Sequence, residues 1–347
     1  MSLRILEKNA VAEMVNAMMA DYESKGGVVV GPQAKGPKFG FAPLADPEDL
    51  RLDYNTSILP PKTVLQPPCE RIATFRLGDE PSAEVVIEAK PTVLLGVHTC
   101  DLHAIHLLDK AFTDEQPDAH YLERRKQTVI VSLECLQPCD EHSFCRDMGT
   151  LDVDGGYDLH LTDLGSAYAV EVETEAGEKL LEKYATARNA TDADARRLNE
   201  VLSAKWARFK KRLDFNTAEL PSLLGAAYTH PLWEELGERC LACGSCTNVC
   251  PTCYCFNVKD SVSLDLSEAD RVRVWDSCQL EEFARVAAGE NFREARAARQ
   301  RHRFFRKGKW IYEKFGTLGC VGCGRCIRTC LVHINIVDGF NTIHGSK

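Results

Sequence analysis

Two runs of four cysteines in the C-terminal third repeat one spacing: Cys240, Cys243, Cys246 and Cys250, then Cys320, Cys323, Cys326 and Cys330, each C-x2-C-x2-C-x3-C. A 4Fe-4S cube needs four thiolates converging on one compact object, and three cysteines three residues apart on a tight turn deliver three of them. The fourth must arrive from elsewhere. In two-cluster chains with this spacing the last cysteine of each run crosses over, so Cys240, Cys243, Cys246 and Cys330 are expected to hold one cube and Cys320, Cys323, Cys326 and Cys250 the second. Gly244, Gly322 and Gly324 suit a backbone that wraps closely and points N–H groups at sulfur. Zinc, usually held by two C-x2-C pairs, is the competing ion for such thiols. A disulfide framework fits less well.

The chain has 347 residues, 44% of them hydrophobic, enough for a sizeable core and two or three domains. Its first residues, Met1 to Lys8, contain no apolar targeting core, and nowhere do eighteen apolar residues run together. A soluble, cytoplasmic chain without membrane insertion is expected, and there sixteen cysteines mean metal or redox chemistry. Charge is uneven. Residues 240 to 347 hold 16 Lys and Arg against 11 Asp and Glu, leaving 26 against 40 upstream, an acidic balance that argues against nucleic acid. The positive excess gathers between Asn291 and Lys309, with Arg293, Arg296, Arg299, Arg301, Arg303, Arg306, Lys307 and Lys309. This reads as a solvated helix face that also moderates cluster charge, or as a surface for an acidic redox partner.

Periodicity sets the organisation. Ile5, Leu6, Val11, Met14, Val15, Met18 and Met19 predict a helix up to about Tyr22; residues 26 to 32 and 39 to 44 predict a hairpin. Pro60, Pro61, Pro67 and Pro68 predict an extended surface segment. Residues 92 to 97 and 127 to 133 read as buried strands, with a helix carrying Leu102, Ile105, Leu108 and Phe112 between them; Tyr157 to Leu161 and Tyr168 to Val172 read as further strands. Ala193 to Leu213 reads as a long helix. Ser277 to Ala288 and Phe292 to Phe305 carry helical spacing within the 69 residues that separate the cysteine runs. The expected class is therefore α+β: an α/β domain over 1–190, a helical linker over 191–235, and an α-helical ferredoxin-like domain with two 4Fe-4S clusters over 236–347.

Both central strands end in a cysteine. Open α/β sheets place sites beyond their strand C-termini, and Cys100 with Cys135, Cys139 and Cys145 makes a candidate third iron–sulfur cluster, with structural zinc or plain thiols as the other readings. His98, His103 and His142 lie close enough in sequence to replace a thiolate. Cys253, Cys255 and Cys278 read as small hydrophobes lining a cluster pocket, and Cys69 as structural.

Several motifs together go beyond the cysteine runs: Pro60-Pro61-Lys62, Gly96 to Ile105, Tyr121 to Arg125, Cys135 to Cys145 with Met148-Gly149, Cys250 to Phe256, and Val274 to Gln279. In these the chain resembles, over nearly its whole length, the β-subunit family of cytosolic sulfhydrogenases. That family includes the A component of anaerobic sulfite reductase and the iron–sulfur subunit of flavin oxidoreductases coupled to heterodisulfide reductase. Leu331 stands where a proline usually follows the last ferredoxin cysteine, which bears on the local turn and not on the ligand. The resemblance implies a non-catalytic electron-transfer subunit. Its expected partners are an FAD- and NAD(P)-binding protein of the diaphorase type and a catalytic subunit of the nickel–iron hydrogenase, heterodisulfide reductase or sulfite reductase kind. FAD and NAD(P) are expected only in the diaphorase-type partner, since this chain shows no nucleotide fingerprint. A zinc-bound scaffold is the alternative of another class.

Overall fold

Thr92–His98, the strand β6, is buried along its whole length and sends alternate side chains to opposite faces. The computed structural model, which describes residues 2–78 and 80–346, places it inside an eight-stranded sheet. The order is β10 (Arg188–Asn189), β1 (Ser2–Glu7), β9 (Ala167–Val172), β8 (Leu159–Asp163), β7 (Thr128–Leu133), β6, β2 (Val28–Lys35) and β3 (Lys38–Pro43). Its centre, β2-β6-β7-β8, is parallel, and both flanks are antiparallel. A parallel centre must be covered on both faces. Val93, Leu95, Val131 and Leu133 pack with Met14, Val15 and Met18 of the Val11–Ser24 helix on one face. Leu94, Val97 and Ile130 meet Leu102, Ile105 and Leu108 of the Thr99–Thr113 helix on the other.

A second sheet joins distant parts of the chain, in the order β11 (Phe256–Val262), β12 (Glu268–Trp275), β4 (Cys69–Arg76) and β5 (Ser82–Val85), all antiparallel. Beneath it Glu70 is buried between Arg124 and Arg273, and Arg273 also pairs with Asp118. Region 236–347 is therefore not all helical, and it shares a sheet with residues of the N-terminal half. Its helices are Arg296–Phe305, continued through a π turn at Arg306–Trp310 into Ile311–Phe315, then Ile336–Gly345 and three short ones, Leu232–Arg239, Ser245–Asn248 and Arg325–Arg328.

Other expectations are corrected. Ile5 and Leu6 lie in β1, paired to Ala169 and Tyr168, and not in the first helix. Ser277 to Ala288 holds only a single turn, Glu282–Ala284, and the helix expected from Ala193 to Leu213 is Asp192–Lys205. A four-residue helix, Lys62–Leu65, interrupts the proline segment. Among the described residues no helix is long and apolar enough to cross a membrane.

Candidate metal centre

Two loops of one design face each other. In the first, Ala242 and Gly244 take positive φ (53° and 76°) and Gly244 opens the Ser245–Asn248 helix; in the second, Gly322 and Gly324 do so (67° and 73°) ahead of Arg325–Arg328. A left-handed residue turns the backbone sharply enough to aim successive cysteines inward. The two short helices pack on each other, and this brings the runs together. Cys250 of the first run shares a small pocket with Cys320, Cys323 and Cys326 of the second. Phe144, Pro251, Val321 and Ile336 form its apolar wall, and Cys246 also reaches it.

The other group is assembled around Cys240. Its Sγ accepts from Ala242 N (3.3 Å) and from Gln300 Nε2 (2.9 Å), and Cys246 lies close by. The Cys330 loop is tied to the same place: Arg239 donates to the carbonyls of Val332 (3.2 Å) and His333 (3.4 Å), and Cys330 Sγ accepts from Ile334 N (3.3 Å). Backbone and amide N–H groups on sulfur are the hydrogen bonds that tune a thiolate-held cluster. Cys243 stands outermost, exposed, beside Ser245.

The third group forms at the C-terminal ends of β6 and β7. Gly96 (φ 73°) makes a bulge there, with its carbonyl held by Tyr54 OH (2.7 Å). Cys100, Cys135 and Cys145 share one buried cluster with Ala104, Leu151, Phe209 and Val321, and Cys139 faces Cys135 and Cys145. This group abuts the second ferredoxin loop, because Cys323 packs on it. Phe144 N donates to Gly322 O (2.7 Å), and Arg325 forms a buried bidentate pair with Asp101 (2.6 and 2.7 Å). The three histidines are occupied elsewhere. His98 stacks on Tyr54 at 4.1 Å between ring centres, His103 Nε2 bonds Asp152 O (2.8 Å), and His142 lies 3.5 Å from Glu141.

Burial pushes the thiols of Cys246 and Cys145 up to about 12 and Cys139 to about 11, with Cys100 and Cys135 also well raised. Free thiolates are thus disfavoured unless positive charge sits among them. The helix Arg296–Phe305 and its π turn supply part of it. Arg299, Arg303 and Lys307 are buried, while Arg296 is exposed and Arg293, Arg301, Arg306 and Lys309 are half-buried, so the solvated-face reading is corrected for the first three alone. Burial opposes the charge of Arg303, yet Cys246, Cys326 and Cys250 raise its pKa; Cys250, Cys253 and Cys320 do the same for Lys307. Arg299 Nε and Nη1 and Arg303 Nη2 have no hydrogen-bond partner. Buried donors of this kind call for an anion.

Among the described residues no three Cys, His, Asp or Glu side chains converge closely enough to hold a single ion. Cys246, Cys250, Cys320, Cys323 and Cys326 line one pocket instead, and the donor set, cysteines with backbone N–H groups and buried cations around them, fits an anionic iron–sulfur cube. A separate cavity of about 510 Å³ lies at the opposite ends of the parallel strands, beside Val28, Thr92 and Thr128, and has no cysteine in its wall. Cys69, expected to be structural, is exposed at the start of β4. The cations on Arg296–Phe305 could have been recognised as buried from the i, i+4 spacing of Arg299 and Arg303, which lie on one face with Gln300 and Phe304.

Residues 239–334 match the model of a 4Fe-4S dicluster domain. No solved structure matches the chain. Sulfhydrogenase 2 subunit beta of Pyrococcus furiosus is 36% identical over 316 residues, covering 90% of this chain and 92% of that one. With both cysteine loops inside the matched dicluster domain and the likeness running through the α/β region as well, the chain belongs to the sulfhydrogenase β-subunit family.

Proposed function

We propose that the chain is an iron–sulfur relay subunit, passing single electrons between an FAD/NAD(P)-binding diaphorase-type partner and a catalytic hydrogenase or heterodisulfide-reductase-type subunit. The observation that carries this reading is the crossing of Cys250 into the pocket of Cys320, Cys323 and Cys326, with Arg303 and Lys307 buried in its wall. Cys240, Cys243, Cys246 and Cys330 would hold the first cube, Cys250, Cys320, Cys323 and Cys326 the second, and Cys100, Cys135, Cys139 and Cys145 a third. Bound cubes supply reversible one-electron transfer. The chain's own residues set the conditions: Phe144, Val321 and Ile336 exclude water, Ala242 N, Ile334 N and Gln300 donate to sulfur, and the buried cations stabilise added negative charge. The name of the Pyrococcus furiosus relative supports hydrogenase as the catalytic partner.

Iron and acid-labile sulfide per chain test the assignment in complex purified without oxygen. About twelve of each support three cubes, and about eight remove the third. Cys246→Ser is expected to abolish transfer to the downstream catalytic partner while dye reduction by the flavin-bearing one continues; unchanged overall activity would overturn the relay.

A further inference from the structure

Cys255 and Cys278 belong to none of the three groups. Cys255 directly precedes the Phe256↔Trp275 pair that closes the β11-β12 ladder, and Asp276 N donates to Cys255 O (3.0 Å). Beyond Asp276 the chain turns tightly at Ser277: Gln279 N donates to Ser277 Oγ (3.1 Å), Leu280 N to Ser277 O (3.0 Å), and Ser277 Oγ pairs with Thr247 Oγ1 (2.6 Å). The hairpin register and this turn bring the two thiols into the wall of one pocket. Cys278 is buried and Cys255 half-buried.

We propose that Cys255 and Cys278 are a redox-active dithiol, a two-electron centre additional to the iron–sulfur sites. Their pocket is walled by Tyr254, Arg303, Arg306 and Lys307, and the nearby cations favour the thiolate that dithiol–disulfide exchange requires. Cys278 is the largest influence lowering the Cys255 thiol, and Arg306 and Lys307 add to it against the cost of burial. Ligation of metal is the less suited role. Cys253, the third thiol of the pocket, lies against Cys250, and His302 packs its ring on Trp310 at 5.1 Å between centres.

On oxidation each thiol loses its proton, one S–S bond forms, and two electrons leave in turn to one-electron iron–sulfur acceptors of the proposed relay, on which reading this assignment rests. Reduction runs the reverse. Cys246 is close to Cys278, so the pair sits beside the first ligand group.

The test uses the complex purified without oxygen and equilibrated in mixtures of reduced and oxidised dithiothreitol, then quenched in acid, alkylated and digested. The expected result is a peptide pair joined through Cys255 and Cys278 that appears as one two-electron transition while iron stays constant. Cys278→Ala, and Cys255→Ala as a second variant, should remove the joined pair and keep wild-type iron. The proposal is overturned if no joined pair forms at any poise that retains iron, or if either variant loses iron, which would make the cysteine a cluster ligand. Wild-type protein without iron would sink the relay reading alone, since the joined pair is measured independently.

Discussion

Arg303 is buried, and its charge is maintained against that burial by Cys246, Cys326 and Cys250. A fixed positive charge beside a cluster favours the reduced, more negative state, so Arg303→Gln is expected to lower the reduction potential of the nearer clusters without loss of iron. Redox titration followed by electron paramagnetic resonance reads this, and an unmoved or raised potential would contradict it. His302, on the same helix, gives a pH signature. Burial, then Arg293 and Arg306, hold its imidazole down to about 4 against an ordinary 6.5. Between these values the unfolded chain binds a proton that the native chain does not, so stability falls as pH falls from about 6.5 towards 4. His302→Gln should flatten that part of the curve, read as the difference in thermal midpoint between the two proteins across the window.

At the scale of elements, the two cysteine loops are the same object under different constraints. Ala242 and Gly322 occupy equivalent positions with similar positive φ, so the left-handed turn by itself does not demand glycine. What demands it at Gly322 is the third cysteine loop: a Cβ there would stand 2.6 Å from Cys145 N and 2.6 Å from Phe144 O. Gly322→Ala should therefore cost about 1–3 kcal/mol through overpacking, beyond a smaller backbone penalty. The expected readout is a lower thermal midpoint together with loss of iron, greatest for the groups that meet at this joint. The helix through Arg299 and Arg303 shows a second lesson. Eight cations between Asn291 and Lys309 look alike by charge, and only the face that Arg299 and Arg303 share with Gln300 and Phe304 separates the buried ones from the rest.

At the scale of the molecule, β12 pairs with β4, Arg273 with Glu70, and Arg325 with Asp101, so the two halves complete each other. A chain starting at residue 236 would expose an unpaired β12 edge and leave Arg325 without its carboxylate. It is expected to aggregate or to lose protease resistance that the full chain has; a stable, soluble 236–347 fragment would show that the halves fold independently. The parallel strands, the hairpin at residues 28–43 and both cysteine loops were legible, since buried runs, glycine turns and fixed thiol spacing are local signals. β1 was not, because Ile5 and Leu6 continue the spacing of the helix that follows, and only pairing with Ala169 and Tyr168 decides for a strand. The 277–288 region was misread because its helix-forming residues are held by a turn that seats Cys278. Local spacing alone determined the two four-cysteine runs and the kind of object they suit, because ligand geometry is written in residues a few positions apart. The tertiary structure decided that Cys246 and Cys250 line one pocket with Cys320, Cys323 and Cys326, that Cys100 packs with Cys135 and Cys145 beside them, and that buried cations face both runs, because those distances depend on sheet order and helix packing across more than a hundred residues.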